Sequence, residues 1–167
     1  MARKFREGRF RNGPVRMKVQ VVRLEMVRER DMTYAANAVN NPHIAVELLR
    51  SFIGPADREH FVLLALDNKN KPVLLNAVSV GILNASVVHP REVFKAAIIA
   101  NAAAVIVAHN HPSGDVTPSP EDREVTDRLK KAGELLGIEL MDSLVVSDQT
   151  YFSFWEHGLL KKEGQSA

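Results

Sequence analysis

Two histidines one residue apart, His109 and His111, are followed after a Pro/Gly-rich loop by Ser119 and Asp122. Side chains alternate along a strand, so histidines at i and i+2 on a strand end face the same side and can meet one cation. A carboxylate delivered by the next element, at Asp122, can supply a third ligand. Three protein ligands, all nitrogen or oxygen, leave one tetrahedral position for water, which is the pattern of catalytic rather than structural zinc sites. Such a metal lowers the pKa of its water and polarises a carbonyl. The chain contains no cysteine. Disulfides and thiolate metal sites are thereby excluded, and imidazole and carboxylate remain as ligands.

Each residue also has an ordinary structural use. A histidine at a strand end is commonly a surface or hydrogen-bonded residue. Ser119-Pro120-Glu121-Asp122 is a good helix start, with Ser as N-cap, Pro at N1 and an acid at N3. The weight lies in all four residues occurring at one spacing.

The elements that must position them can be read from periodicity. Ala103 to Ala108 is a short apolar run with the length of a buried strand, and it ends on His109-Asn110-His111. A helix follows from Pro120 to about Leu136, its apolar face marked by Val125, Leu129, Ala132 and Leu136, with Gly137 as C-terminal cap. Ile138 to Val146 reads as a long strand, and Tyr151 to Leu160 as a short closing segment. Upstream, Phe61 to Leu66 is a second buried strand, turned at Asp67 to Pro72 into a returning strand from Val73 to Val80. Helical spacing covers 44–53 after Asn41-Pro42, and Pro90 opens a helix to about Asn101. Partial alternation from Met17 to Arg30 suggests an edge strand. The mixture of hairpins and crossovers places the chain in the α/β class.

At 167 residues, with 46% hydrophobic and 25% charged residues, the chain suits one globular domain. No apolar run approaches the length of a membrane span, and no apolar stretch follows the N-terminal charges as in a secretory signal. A cytoplasmic location is expected. Residues 1–16 carry six basic residues against Glu7, a local charge of +5; set against +2 for the whole chain, this leaves −3 for the rest. The expectation is a disordered basic tail over 1–16 and a single domain over 17–167. The tail reads as a solubilising leader or as an arm making weak nucleic-acid contact.

His109-x-His111, seven residues, Ser119, two residues and Asp122 match the JAMM motif H-x-H-x7-S-x2-D at every specified position. A chance match in a chain this long is on the order of one in a few thousand by ordinary residue usage. The segments Gly81-Ile82-Leu83-Asn84-Ala85-Ser86, His89-Pro90-Arg91-Glu92-Val93-Phe94 and Ala108-His109-Asn110-His111-Pro112-Ser113-Gly114-Asp115 closely resemble the RadC family, from about Leu49 to Leu160. The resemblance implies a JAB/MPN fold, similar in architecture to cytidine deaminase, with a curved mixed sheet flanked by helices. It also implies zinc (Zn2+) held by His109, His111 and Asp122. A glutamate just before the first core strand then serves as general acid/base, and Glu59 occupies that place. On this reading Glu59 and the Ser119 hydroxyl carry catalysis, with a peptide or protein as substrate. Members of the family usually carry an N-terminal helix-hairpin-helix region, and no such segment fits before Met17. Their late strand commonly reads Leu-Asp-His, where this chain has Met141-Asp142-Ser143.

The leading expectation is therefore a zinc peptidase or isopeptidase. The alternative is an accessory protein of DNA repair or of mobile elements, with a non-catalytic zinc site and phosphate contacts from Arg3 to Arg16. Deaminase chemistry is disfavoured, because its signature requires a Pro-Cys-x-x-Cys element and the chain has no cysteine. The oligomeric state is left open by the sequence.

Overall fold

The computed structural model describes residues 18–81 and 88–160. Eight elements follow one another: α1 (Pro42–Ile53), β1 (Glu59–Leu66), β2 (Pro72–Gly81), α2 (Pro90–Ile99), β3 (Ala104–Asn110), α3 (Pro120–Leu136), β4 (Glu139–Val146) and β5 (Tyr151–Ser153). The strands form one mixed sheet in the order β2-β1-β3-β4-β5. β1 pairs antiparallel with both β2 and β3, β3 pairs parallel with β4, and β4 pairs antiparallel with β5. The β1–β2 hairpin is closed by Asp67, whose Oδ1 accepts the N–H groups of Lys69 and Lys71 at 2.7 and 2.9 Å. This side-chain turn is what the Asp-Asn-Lys-Asn-Lys-Pro run encodes.

β1 and β3 are buried on both faces, which explains why they read as continuous apolar runs rather than as alternation. Successive residues still serve opposite cores. Phe61, Leu63, Ala65, Val105 and Val107 join one core with Val93, Phe94, Val125 and Leu129 from α2 and α3. Val62, Leu64, Leu66, Ile106 and Ala108 join the other with Ala45, Val46 and Leu49 from α1. The result is three layers, with α1 on one side of the sheet and α2 and α3 on the other.

The β3-α3-β4 unit matters most for the site. Because β3 and β4 run parallel, the chain must return along α3, and this brings the N-terminus of α3 back to the C-terminal end of β3. α3 starts in a full capping box, Ser119 with Asp122, and ends at Gly137 in the left-handed region (φ 69°). One turn earlier Gly133 lies against the chain entering β4, where a Cβ would overlap the Ile138 carbonyl oxygen. A side chain there would push the helix off the sheet.

The α/β class and the order of elements agree with the sequence reading; α3 keeps its expected bounds, the other helices and strands move by at most two residues, and the closing segment is strand only over Tyr151–Ser153. One expectation fails: residues 18–31 form no strand. Among the described residues the sheet edges are β2 and β5, and neither pairs with this stretch. Alternation records that one side of a segment is apolar; it does not supply a partner strand. Residues 1–16 and 82–86 lie outside the described residues. No helix among the described residues is long and apolar enough to cross a membrane.

Candidate metal centre

β3 carries Val105, Val107 and His109 toward the α2/α3 core, so His109 is the last member of a buried row and is 2% exposed. His111 lies one residue past the strand, on the same side. Their ring centroids are 4.8 Å apart, and the two Nε2 atoms face each other at 3.1 Å. Asp122, in the first turn of α3, places Oδ1 3.1 Å from His109 Nε2 and Oδ2 3.8 Å from His111 Nε2. Among the described residues this is the one group of three potential ligands, with the ligand atoms within 4.8 Å of one another.

The donor geometry suits a tetrahedral cation. Metal–ligand bonds of about 2.0–2.1 Å at tetrahedral angles separate neighbouring ligand atoms by roughly 3.3 Å. Two of the observed separations, from His109 Nε2 to His111 Nε2 and to Asp122 Oδ1, lie near that value at 3.1 Å; the third, 3.8 Å, runs to the other Asp122 oxygen and is wider. The tautomer of His111 is fixed as well. Its Nδ1 lies 2.6 Å from the Asp115 carbonyl oxygen. A carbonyl can only accept, so Nδ1 carries the proton and the neutral ring presents a bare Nε2 lone pair to the centre. Phe61, opposite His109 in the β1–β3 register, lies nearly parallel to its ring at 6.2 Å and shields that side.

Two groups of Ser119 hold the Asp122 carboxylate. Oδ2 accepts the Ser119 backbone N–H at 2.8 Å and the Ser119 hydroxyl at 2.7 Å, while the Asp122 N–H donates back to Ser119 Oγ at 3.1 Å. Burial pushes this carboxyl upward, but His109 and the two Ser119 bonds outweigh it and hold the group far below the usual carboxylate range. Asp122 is therefore ionised at any ordinary pH, as a metal ligand must be. Capping and ligation, separate readings in the sequence, meet in Asp122, which closes the capping box with Ser119 and faces both histidines. The hydroxyl of Ser119 points at Asp122 here, so service to a reacting oxyanion requires exchanging that bond.

Glu59 is the first residue of β1, paired with Gly81 of β2. It shares the face of Phe61 and thus of His109, one step beyond the ring. It lines a cleft of about 420 Å³ with Asp57, Arg58, Gly81 and Pro112. Pro112 follows His111 directly, so this cleft opens beside the ligand loop. A second cleft, about 720 Å³, shares Asp57 and Pro112 with the first and includes Arg50, His111, Ser147 and Gln149.

Two polar groups escaped sequence reasoning. Asn110, between the histidines, reaches across to β1: its Oδ1 accepts the His60 N–H at 2.7 Å and its Nδ2 donates to the Arg58 carbonyl at 3.0 Å. Asp142 on β4 is buried, and its oxygens accept from Ser153 Oγ, Ser143 N and Trp155 N at 2.6, 2.8 and 3.0 Å. Ser143 itself takes the Thr126 hydroxyl at 2.9 Å. The sequence signal for Asn110 was its place between the two histidines, which does not show what its side chain reaches.

Comparison with known proteins identifies the family of the domain. Residues 39–159 match the model of the RadC-like JAB domain. The chain is 52% identical over 122 residues to a UPF0758 protein of Rubrobacter xylanophilus, covering 73% of this chain and 53% of that protein. It is 50% identical over 120 residues to one of Staphylococcus haemolyticus, covering 72% and 53%. The chain thus spans about half the length of the curated relatives it matches, and their names state no activity. The five-stranded mixed sheet with three helices is consistent with a JAB/MPN-type fold. With its match spanning most of the chain and relatives at about half identity, the protein belongs to the family of RadC-like JAB domains.

Proposed function

We propose that the domain is a zinc-dependent hydrolase of the JAMM type, acting on peptide or isopeptide bonds. The observation that supports this most is the convergence of His109 Nε2, His111 Nε2 and the ionised Asp122 carboxylate, with one ligand atom from each within 4.8 Å of the others. Membership of a family related to JAMM-type metallohydrolases fits the same reading. Zinc held by His109, His111 and Asp122 would supply a Lewis acid and would lower the pKa of a water it binds.

The rest falls to the chain's own side chains. Asp115 holds His111 in the ligating tautomer, and Ser119 holds Asp122 in its ligating orientation. Phe61 keeps bulk water from one side of His109. Glu59 takes a proton from the attacking water and returns it to the leaving amine nitrogen. As bond order at the carbonyl falls, the Ser119 hydroxyl turns from Asp122 to the developing oxyanion.

The test is hydrolysis of a fluorogenic peptide library and a lysine-linked isopeptide by zinc-saturated protein. Glu59→Gln at equal zinc content should lower turnover at least tenfold. Unchanged turnover removes Glu59 from this role, and no turnover in the parent protein counts against the hydrolase reading. A contact between the Arg3 to Arg16 stretch and nucleic acid is proposed beside it, on the +5 local charge alone. Duplex affinity that falls with salt and disappears on deleting residues 1–16 is the expected result.

A further inference from the structure

Asn110 lies between the two histidines, yet its side chain makes no part of their centre. Instead it forms a two-bond clip across to β1. The Arg58 carbonyl, to which its Nδ2 donates, belongs to the peptide unit before Glu59, and the His60 N–H, accepted at Oδ1, belongs to the unit after it. A single amide therefore fixes both peptide planes that bound Glu59, and with them its backbone dihedrals.

The position in the ladder explains why a side chain is used. Main-chain pairing of β1 with β3 runs from Leu66↔Ala104 to Phe61↔His109 and stops there. The next residues outward are His60 and Asn110, and at this step the amide replaces the main-chain bonds. Asn110 is only 9% exposed, so both bonds sit where water competes poorly. An apolar residue at 110 would leave the Arg58 C=O and the His60 N–H without these partners.

We propose that Asn110 is a positioning residue for Glu59: it ties the general base to the strand that bears His109, so that base and ligand set move as one body. The inference rests on the hydrolase reading above. It assigns Asn110 no contact with metal or substrate.

The probe is acetohydroxamic acid, titrated calorimetrically into zinc-saturated protein. It binds zinc through its two oxygens, and its proton passes to a neighbouring carboxylate base, here Glu59. The readout is a double-mutant cycle with Asn110→Ala and Glu59→Gln. If Asn110 acts through Glu59, each single variant weakens binding about tenfold, the usual effect of removing a group that orients an active-site residue. The double variant is then no weaker than Glu59→Gln alone. Asn110→Asp keeps the acceptor for His60 but turns a carboxylate oxygen on the Arg58 carbonyl, and should give a comparable loss. It also carries the same cycle should Asn110→Ala not melt cooperatively.

Losses that add in the double variant, or an Asn110→Ala protein that binds like the parent, would overturn the positioning role while leaving the base intact. Binding that Glu59→Gln does not weaken would instead overturn the base assignment, and this proposal with it.

Discussion

A half-buried carboxylate at the start of α3, Asp122, and a buried one on β4, Asp142, have opposite electrostatic fates. Asp122 is held well below the usual carboxylate range, whereas Asp142 is pushed up to about 6. Burial acts upward on both. Around Asp142 it wins over hydrogen bonds from Ser153, Trp155 and Ser143, all neutral donors within one closed network. Around Asp122 it loses, because the carboxylate faces His109 and is gripped by Ser119 from two sides. The larger difference lies in the neighbours' lone pairs. Asp142 meets only N–H and O–H groups, so its network is complete as it stands. Asp122 meets two imidazole nitrogens, at least one of which is bare, and three electron-pair donors converge on a point that a cation would satisfy. Burial of an acid does not by itself identify a functional site; the direction in which its neighbours donate does.

The largest expected effect comes from Asp122→Ala, which strikes ligand and helix cap together. Zinc affinity should fall at least 100-fold, and loss of the capping box should cost about 1–2 kcal/mol in urea unfolding. Asp122→Asn retains the cap and separates the two: stability should stay near that of the parent while metal affinity still falls. Equal destabilisation by both variants would show that the carboxylate is chiefly structural.

Asp142→Ala ranks next. It strands the Ser143 and Trp155 N–H groups in the interior, and a loss of about 2–4 kcal/mol is expected without change in zinc content. A loss of zinc would join two networks that the geometry keeps apart.

Asp142→Asn removes the charge and keeps the acceptor oxygen. The native carboxyl binds its proton more tightly than the unfolded one, whose pKa is near 3.8. Its favourable contribution is therefore complete below pH 4 and lost as pH rises through about 6. The stability of Asp142→Asn relative to the parent should rise across that window, by on the order of 2 kcal/mol, and level off above it. Parallel pH curves for the two proteins would place the Asp142 pKa elsewhere. The smallest change is expected for Ser143→Ala, about 1 kcal/mol for the single Thr126 bond.

The sequence was most informative where structure is encoded locally. The cap at Ser119, the stop at Gly137 and the strand ending on His109 all follow from neighbours within a few positions. The ligand triad was legible because one strand end and one helix start carry all of it. What stayed hidden depends on residues far apart in the chain. Asn110 acts on Arg58 and His60 about fifty positions upstream, and Asp142 on Ser153 and Trp155 through a strand pairing. The expected edge strand at Met17 to Arg30 failed for the same reason, since pairing is a property of two segments and periodicity describes one. Ser119 shows a subtler limit: its presence in the motif was plain, but only the coordinates show its proton directed at Asp122.

The most direct test of the central claim is the metal content of purified protein by elemental mass spectrometry, after reconstitution with zinc and desalting. Measured beside a His109→Ala/His111→Ala variant, the parent should retain about one zinc per chain and the variant essentially none. A parent protein that retains no metal, or a variant that retains as much, would contradict the assignment of His109, His111 and Asp122 as a metal centre.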